Sequence, residues 1–209
     1  MKFMALDIST KTGYAIFKNN DLVECGRVDL QKPSHYKADV KTFRDLPVDY
    51  PLCFIQTAET LATQCAYIFL RHECDMVVIE HTEKGKARLS QRLLEWINYA
   101  VVEEFRKRTI PIQYLFVSDW RTVTKCYLKY WPEYKLWNSK VAKLKKTATP
   151  TKSGARIAKI DGKIVTKVDQ KRLSILLANE AYSLELKDDN IADAINLGRA
   201  AYVLLFNQK

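Results

Sequence analysis

Two short apolar runs that each end in an acid constrain the fold more than any other feature of the chain. "KFMALD" ends in Asp7, and "DMVVIE" ends in Glu80. Apolar runs of this length between polar residues are typical of buried β-strands. A carboxylate at the end of a buried strand is costly unless a positive partner lies against it. The two acids therefore predict either a cationic partner at these strand ends or exposure to solvent.

The order of the predicted elements indicates an α/β fold. Three strands open the chain at 2–8, 13–18 and 22–29, and two more follow at 75–80 and 110–117. Helical spacing of apolar residues predicts helices over 55–72, 87–107, 118–131, 170–182 and 190–206. Strands that alternate with helices after an opening meander predict a mixed sheet flanked by helices. The 209 residues are enough for one such domain.

The charge balance points to a polyanionic partner. The chain holds 34 Lys and Arg against 24 Asp and Glu, a net charge of +10. Residues 138–172 hold 11 basic and 2 acidic residues, so this one segment carries +9 (11 minus 2). Such a surplus favours nucleic acid over a membrane surface as the partner. The alternative is a basic protein whose charge serves only solubility.

The basic segment contains a hairpin signal. Asp161-Gly162 lies between two alternating runs in "ARIAKIDGKIVTKV", which predicts a two-residue β-hairpin. In that hairpin Arg156 would face Lys167, an unfavourable pair unless an anion lies over it. We interpret 138–168 as a basic insert with a β-hairpin arm for a phosphate backbone; the alternative is a solvated insert without contacts. The candidate DNA-binding residues are Lys145, Lys146, Arg156, Lys159, Lys163 and Lys167.

A third acid stands early in the last predicted helix. Asp193 lies in "DDNIADAINLG", with Asn190 and Asp189 three and four residues before it and therefore on its face. Sites in α/β sheets gather at the carboxyl ends of strands. Asp7 and Glu80 converge there if their strands are neighbours, and the helix start brings Asp193 towards them. Such an oxygen-rich site selects Mg²⁺ or Mn²⁺ rather than Zn²⁺.

Cysteine usage and hydropathy indicate a cytoplasmic protein. Five scattered cysteines without a CxxC pair, together with three histidines, argue against a zinc site and suit a reducing compartment. The apolar start of the chain is too short for a signal peptide. No apolar run approaches the about 18 residues of a membrane span. We therefore expect neither export nor membrane insertion.

Three motifs together resemble those of a known family. "LDISTKTGYAIF", "MVVIEHTEKGK" and "DDNIADAINLG" resemble the acidic motifs of RuvC-type Holliday junction resolvases in the RNase H-like superfamily, above all the bacteriophage members. The resemblance covers roughly 2–125 and 169–206 and leaves 138–168 as an insertion before the last two helices. It implies an RNase H-like fold and a metal-dependent endonuclease that resolves four-way and other branched DNA.

The resemblance also implies roles for the site residues. Asp7 would bridge two Mg²⁺ or Mn²⁺ ions, and Glu80 and Asp193 would each hold one of them. The family commonly has Asp or His where Asn190 stands, so either Asn190 or Asp189 completes the set. The nearest counterpart of the family's lysine is Lys171, which would help to neutralise the scissile phosphate.

The same resemblance extends to partners and surroundings. It implies a homodimer that acts on branched DNA without a small-molecule cofactor, in a bacterial host cytoplasm if the protein is phage-encoded. The loop "HTEKGKAR" follows Glu80 directly, and its basic residues Lys84, Lys86 and Arg88 would meet the DNA backbone near the cut. The alternative for this loop is a solvated helix start.

Other interpretations remain open at this stage. The aromatic residues of "KCYLKYWPEYKLW" have helical spacing, which is typical of a core or interface face, although aromatics with lysines can also stack on bases. An RNase H-like nuclease on RNA–DNA hybrids and a non-catalytic branched-DNA-binding module are alternative functions. An actin-like ATPase or sugar kinase would need glycine-rich phosphate loops, and "DISTKTG" contains one glycine.

Overall fold

The computed structural model describes residues 1–30, 49–81, 88–151 and 155–207, without the side chains of 88–90. The elements, in chain order, are β1 (Lys2–Asp7), β2 (Lys11–Lys18), β3 (Asp21–Asp29), α1 (Leu52–Arg71), β4 (Met76–His81), α2 (Arg88–Lys107), β5 (Ile112–Phe116), α3 (Val117–Val123), α4 (Pro132–Thr147), β6 (Lys159–Ile160), β7 (Lys163–Ile164), α5 (Gln170–Tyr182) and α6 (Asp189–Ala201). A 3₁₀ turn at Leu128–Tyr130 precedes α4, and a π-helical turn at Tyr202–Phe206 follows α6. None of the described helices is long and apolar enough to cross a membrane.

Five strands form one mixed sheet in the order β3-β2-β1-β4-β5. The opening meander is antiparallel, whereas β4 pairs in parallel with both β1 and β5. In the β1–β4 ladder Leu6 lies opposite Ile79. The next residues of the two strands are Asp7 and Glu80, so both acids lie at the same edge. The predicted mixed α/β sheet is therefore confirmed, and so is the convergence of these two strand ends.

The two faces of the sheet carry separate halves of the core. Phe3, Ala5 and Val78 pack with residues of α3, α5 and α6, whereas the alternate residues Met4 and Leu6 pack with α1 and α2. Successive side chains of a strand point to opposite faces. Asp7 lies two residues after Ala5, and Glu80 lies two residues after Val78. By this alternation both acids lie on the face of the sheet that α6 covers. The sheet thus presents both carboxylates to the helix that carries the third acid.

A glycine lets α6 approach the sheet closely. Gly13 pairs with Asp7 across the β1–β2 ladder. A Cβ atom added at Gly13 would lie 1.9 Å from the carbonyl oxygen of Asn190. Asp188 caps this helix end by accepting hydrogen bonds from the backbone N–H groups of Asn190 (3.0 Å) and Ile191 (3.3 Å). The missing side chain at position 13 therefore allows the capped start of α6 to lie beside the end of β1.

The single helix predicted over 118–131 is wrong. The helix α3 ends at Val123, Lys125 takes a left-handed conformation with φ 57°, and a separate helix begins at Pro132. Proline suits the first turn of a helix because its missing N–H has no partner there. The aromatic spacing runs through this break, so periodicity alone did not show it. The basic insert predicted from residue 138 consequently begins inside α4.

A short hairpin forms at the predicted turn. The strands β6 and β7 flank Asp161 and Gly162, and Gly162 has a φ of 76°. The predicted pairing of Arg156 with Lys167 is wrong, because the described ladder comprises two residue pairs only. Arg156 instead forms a β-bridge with Pro150 and donates from Nη1 to the carbonyl oxygen of Lys146 at 2.8 Å. It thereby caps the last turn of α4.

The aromatic segment before and within α4 divides between the core and the surface. Trp131, Tyr134 and Trp137 pack against the core on the α6 side of the sheet. On the surface, the Lys129 ammonium lies 4.9 Å from the ring centroids of both Tyr127 and Tyr130. The interpretation as a core face is therefore right for the C-terminal part of the segment.

Replacing Gly13 with alanine tests the close approach of α6. We expect Gly13→Ala to lower the free energy of unfolding by about 1–3 kcal/mol, because the new methyl group displaces the helix start. Urea unfolding measures this change. Gly162→Asn is the matched control, since Gly162 has open space around it and Asn tolerates a positive φ. Equal stability of Gly13→Ala and wild type would contradict the packing described here.

Candidate active site

Four acidic side chains influence one another at the edge where β1 and β4 end. Burial raises the pKa of Asp7 well above its usual range, and the negative charges of Glu80, Asp193 and Asp189 raise it further. The β1–β4 register and the close approach of α6 to Gly13 bring these side chains to one edge of the sheet, where their charges act on Asp7 through a region poorly screened by water. The structure thus brings together the acids that the sequence singled out from two strands and one helix.

A chain of hydrogen bonds holds Asp193. Ser174 donates from Oγ to Asp193 Oδ1. Asn196 donates from Nδ2 to both Oγ (2.9 Å) and the carbonyl oxygen (3.0 Å) of Ser174. Burial raises the pKa of Asp193, while the Ser174 hydrogen bond and the Arg121 charge oppose that rise. Residues of α5 and α6 therefore hold this carboxylate in place. The Ser174 hydrogen bond and the Arg121 charge stabilise its ionised form.

A buried tryptophan holds Glu80. Trp120 is 0% exposed and donates from Nε1 to Glu80 Oε2 at 2.7 Å. Trp120 lies in α3, which follows β5 directly, and β5 is the neighbour of β4. Because β4 and β5 are parallel, the helix that follows β5 starts at the edge where β4 ends. The Trp120 indole therefore lies beside Glu80.

The start of α6 supplies the other two candidate ligands. Asp189 forms an ion pair with Lys171, whose side chain is 74% exposed. Asn190 accepts a hydrogen bond from Ser9 Oγ at 3.5 Å and donates from Nδ2 to Asp188 Oδ1 at 3.3 Å. Asp189 and Asn190 thus both lie at the start of α6, the helix end that packs closely against Gly13. Lys171 lies at the rim of the site.

Sequence reasoning missed the most buried cation of the site. The Nε atom of Arg121 is buried and has no hydrogen-bond partner among the described residues. Its guanidinium carbon lies 5.0 Å from the ring centroid of Trp120, and its charge lowers the pKa values of both Asp7 and Asp193. The one available signal was position, since Arg121 follows the strand that neighbours β4.

The donor chemistry of the cluster suits a hard divalent cation. Carboxylate and amide oxygens are the ligands that Mg²⁺ prefers, and a cation makes the proximity of several carboxylates favourable. In the described parts of the chain no three His, Cys, Asp or Glu side chains already form a metal-binding group. One oxygen of each of three carboxylates is instead held by a protein donor, in the pairs Glu80–Trp120, Asp193–Ser174 and Asp189–Lys171.

The predicted DNA-binding residues fall into two groups. Lys84 and Lys86 lie outside the described residues, and Arg88 begins α2 with a side chain that is also outside them. The others are all exposed: Lys145, Lys146, Arg156, Lys159, Lys163 and Lys167. Among contacts with the described residues, Arg156 is the one of these six whose side chain forms a hydrogen bond, to the carbonyl oxygen of Lys146.

Comparison with known proteins identifies the fold. No protein-family model and no curated protein matches the chain. Thermus thermophilus RuvC in complex with a Holliday junction substrate has a TM-score of 0.57 at 10% identity, and the match covers 97% of this chain and 94% of that one. A second T. thermophilus RuvC structure has a TM-score of 0.54 at 11% identity, with the same coverage.

A third solved structure is less similar. The yeast mitochondrial Holliday junction resolvase Ydc2 has a TM-score of 0.42 at 12% identity, and the match covers 96% of this chain and 79% of that one. The two RuvC structures share with this chain an α/β architecture of a mixed five-stranded sheet between helices. The chain therefore has the RuvC-like variant of the RNase H fold.

Proposed function

We propose that this protein is a metal-dependent endonuclease that cuts four-way and other branched DNA by phosphodiester hydrolysis. The observation that carries the proposal is the clustering of Asp7 with Glu80, Asp193 and Asp189 where two parallel strands end. A structure of this fold has been solved with a Holliday junction substrate, which supports branched DNA as the substrate class. The net charge of +10 supports a nucleic-acid substrate independently.

The acids would act as metal ligands. Asp7, Glu80 and Asp193 would hold the ions, and Asp7 would be the ligand shared by both sites, as the resemblance implies. Asp189 or Asn190 would complete the set. Two bound Mg²⁺ or Mn²⁺ ions would supply the charge that activates water and stabilises the leaving 3′ oxygen. In this scheme no side chain of the chain forms a covalent bond to the substrate.

Neighbouring side chains would orient these ligands. Trp120 holds one oxygen of Glu80, and Ser174 holds one oxygen of Asp193. A carboxylate with one oxygen held by a donor has less freedom to rotate, so the direction of its other oxygen is better defined. Trp120 and Ser174 are therefore positioning residues, because each acts through a carboxylate rather than on the DNA.

Two cations would contact the reacting phosphate. Arg121 is partly buried beside Asp7 and Asp193, where a charge is weakly screened and stabilises a developing negative charge strongly. Lys171 is exposed at the rim and is held by Asp189. We assign Arg121 to the phosphate at the reacting centre. Lys171 would neutralise the scissile phosphate as the strand enters.

Other basic residues would bind the DNA outside the centre. Lys159, Lys163 and Lys167 are exposed on and beside the hairpin of β6 and β7. Lys84, Lys86 and Arg88 follow Glu80 in the chain and are candidates for backbone contacts near the cut. Resolution of a four-way junction needs two symmetric cuts, which a C2 homodimer would supply. We place such a dimer in a bacterial cytoplasm, as a protein of the bacteriophage type.

A junction-binding protein without nuclease activity is the second candidate. Asn190 adds no charge where the RuvC-type resolvases commonly have Asp or His. No described group of acidic, histidine or cysteine side chains is preformed for a metal ion. An uncharged residue at position 190 and ligands that are not preformed would both weaken metal binding. The cleavage experiment separates the two candidate functions.

The first prediction concerns cleavage itself. With Mg²⁺ the wild-type protein should nick an immobile four-way junction in paired positions, and it should leave linear duplex and RNA–DNA hybrid largely uncut. Asp7→Asn should lower the rate by at least about a thousandfold, because the central carboxylate contributes several kcal/mol of charge stabilisation. Its affinity for the junction should be kept. Gel analysis of end-labelled strands, with EDTA as the control, measures both.

Three outcomes would oppose the nuclease proposal. Binding without cleavage in Mg²⁺ and in Mn²⁺ would favour the non-catalytic module. Preferential cutting of the RNA–DNA hybrid would favour an RNase H-like activity. Cleavage that persists in EDTA would exclude the metal-dependent mechanism.

The second prediction concerns charge repulsion in the metal-free protein. Asp7 has a raised pKa, so its folded state binds the proton more tightly than the unfolded state, and stability falls as pH rises from the unfolded value of 3.8 through the folded value. At neutral pH and in EDTA, Asp7→Asn should therefore raise the Tm by about 2–4 °C, the shift that about 1 kcal/mol produces in a domain of this size. Differential scanning fluorimetry measures this change.

The change in Tm on adding Mg²⁺ tests the same cluster for metal binding. Mg²⁺ should raise the Tm of wild type and should have little effect on Asp7→Asn. Asp161→Asn, at the exposed hairpin turn, removes the same charge elsewhere and should match wild type in EDTA and in Mg²⁺. A lower Tm for Asp7→Asn in EDTA, or an undiminished response to Mg²⁺, would contradict the proposed cluster.

The third prediction concerns Arg121. Arg121→Gln should reduce the junction cleavage rate by about a hundredfold, the usual effect of losing one donor that stabilises charge in a reacting centre. The Mg²⁺-dependent rise in Tm should remain, because the carboxylates remain. Arg108→Gln removes an exposed cation directly after α2 that pairs with Glu104, and it serves as the control. Equal cleavage rates for the two variants would remove Arg121 from the mechanism.

A further inference from the structure

The helix α4 presents a face of three lysines, of which the sequence singled out only Lys146. Lys135, Lys143 and Lys146 are exposed, with Ser139 between them, and their spacing of eight and three residues places them on one side of the helix. Val141, on the opposite side, is 0% exposed, and Trp137 packs against the core. We call Lys135, Lys143 and Lys146 the lysine face.

The charge of the lysine face is uncompensated. Glu133, in the first turn, is the one acidic residue of α4. Within the described part of the chain, none of the three lysines forms an ion pair. The other exposed lysines of α4, Lys140 and Lys145, add to the same charge. Lys143 and Lys146 lie one helical turn apart, and like charges at that spacing repel each other, so an anionic partner makes this arrangement more favourable.

The geometry of the face favours a nucleic-acid backbone. From Lys135 to Lys146 the helix rises by about 16 Å, and duplex DNA presents a negative charge for about every 1.7 Å of its axis. The face can therefore meet several phosphates at once. A helix that binds in a membrane surface needs a free apolar side. The apolar side of α4 packs on the core, and Leu136 is the one exposed large apolar residue of this helix.

The helix α4 is tied to the candidate active site through a short connection. Asn138 donates from Nδ2 to the carbonyl oxygen of Val168 and accepts from its N–H, both at 2.8 Å. The next residue, Asp169, caps α5 by accepting from the backbone N–H of Arg172 at 2.9 Å. The helix α5 carries Ser174, which holds a carboxylate of the site. A backbone bound on α4 is therefore held at a defined position relative to the reacting centre.

We propose that the lysine face binds the phosphate backbone of a duplex arm, independently of its base sequence, and positions that arm relative to the carboxylate cluster. The proposal rests on the proposed function in one respect, namely that the duplex is an arm of a branched substrate. Binding by the face does not depend on cleavage, so the two can fail separately.

The test compares two triple variants of equal charge. Lys135→Gln/Lys143→Gln/Lys146→Gln removes the lysine face. Lys18→Gln/Lys107→Gln/Lys187→Gln removes three other exposed lysines and is the control. Fluorescence anisotropy measures the Kd for a labelled linear duplex and a labelled four-way junction between about 50 and 200 mM salt.

The lysine-face variant should bind both DNAs at least about tenfold more weakly, and the slope of log K against log salt should fall in magnitude by about 2–3. The control variant should match wild type. At saturating protein, the lysine-face variant should still cut the junction, in contrast to Asp7→Asn, because its carboxylates are intact.

Unchanged affinity and salt slope in the lysine-face variant would overturn the proposal, and so would an equal loss in the control variant. Loss of binding to phosphatidylserine vesicles with unchanged DNA binding would also overturn it and would indicate a membrane surface instead. If the lysine face governs DNA affinity but wild type cuts no substrate, the binding surface stands and the nuclease proposal fails.

Discussion

The parallel pairing of β1 with β4 is the constraint on which the rest of the site depends. It brings the ends of two strands, far apart in the chain, to one edge of the sheet. The alternation of side chains then sends Asp7 and Glu80 to the face that α6 covers. Gly13 allows that helix to start against the sheet, which places Asp193 and its neighbours beside them. Strand register and one close backbone approach therefore define the cluster.

In the cluster, repulsion between buried acids is partly offset by hydrogen bonds and nearby cations. Acids that are buried together raise one another's pKa values, as Asp7 shows. Hydrogen bonds from Trp120 and Ser174, and the charges of Arg121 and Lys171, offset part of this cost. Structures rarely concentrate buried acids without using them, since perturbed pKa values cluster at functional sites. Within the described part of the chain, the buried Nε of Arg121 has no hydrogen-bond partner, and this group faces the same carboxylates.

Local patterns predicted the parts of the structure that depend on local chemistry. An acid at the end of an apolar run revealed Asp7 and Glu80, and Asp161-Gly162 revealed the hairpin. Contacts made by tertiary packing were out of reach, because nothing near Ser174 in the chain distinguishes it, and Arg121 is marked only by its place after the strand that neighbours β4. The break before α4 was missed because aromatic spacing continues across it, and that error hid the lysine face.

The most direct test of the central claim is a crystal structure of the protein soaked in Mn²⁺, with the ions located by their anomalous scattering. Two peaks about 3.5–4 Å apart are expected beside Asp7, with Glu80 near one of them and Asp193 near the other. A map without a peak at this edge of the sheet, or with peaks that avoid Asp7, would contradict it.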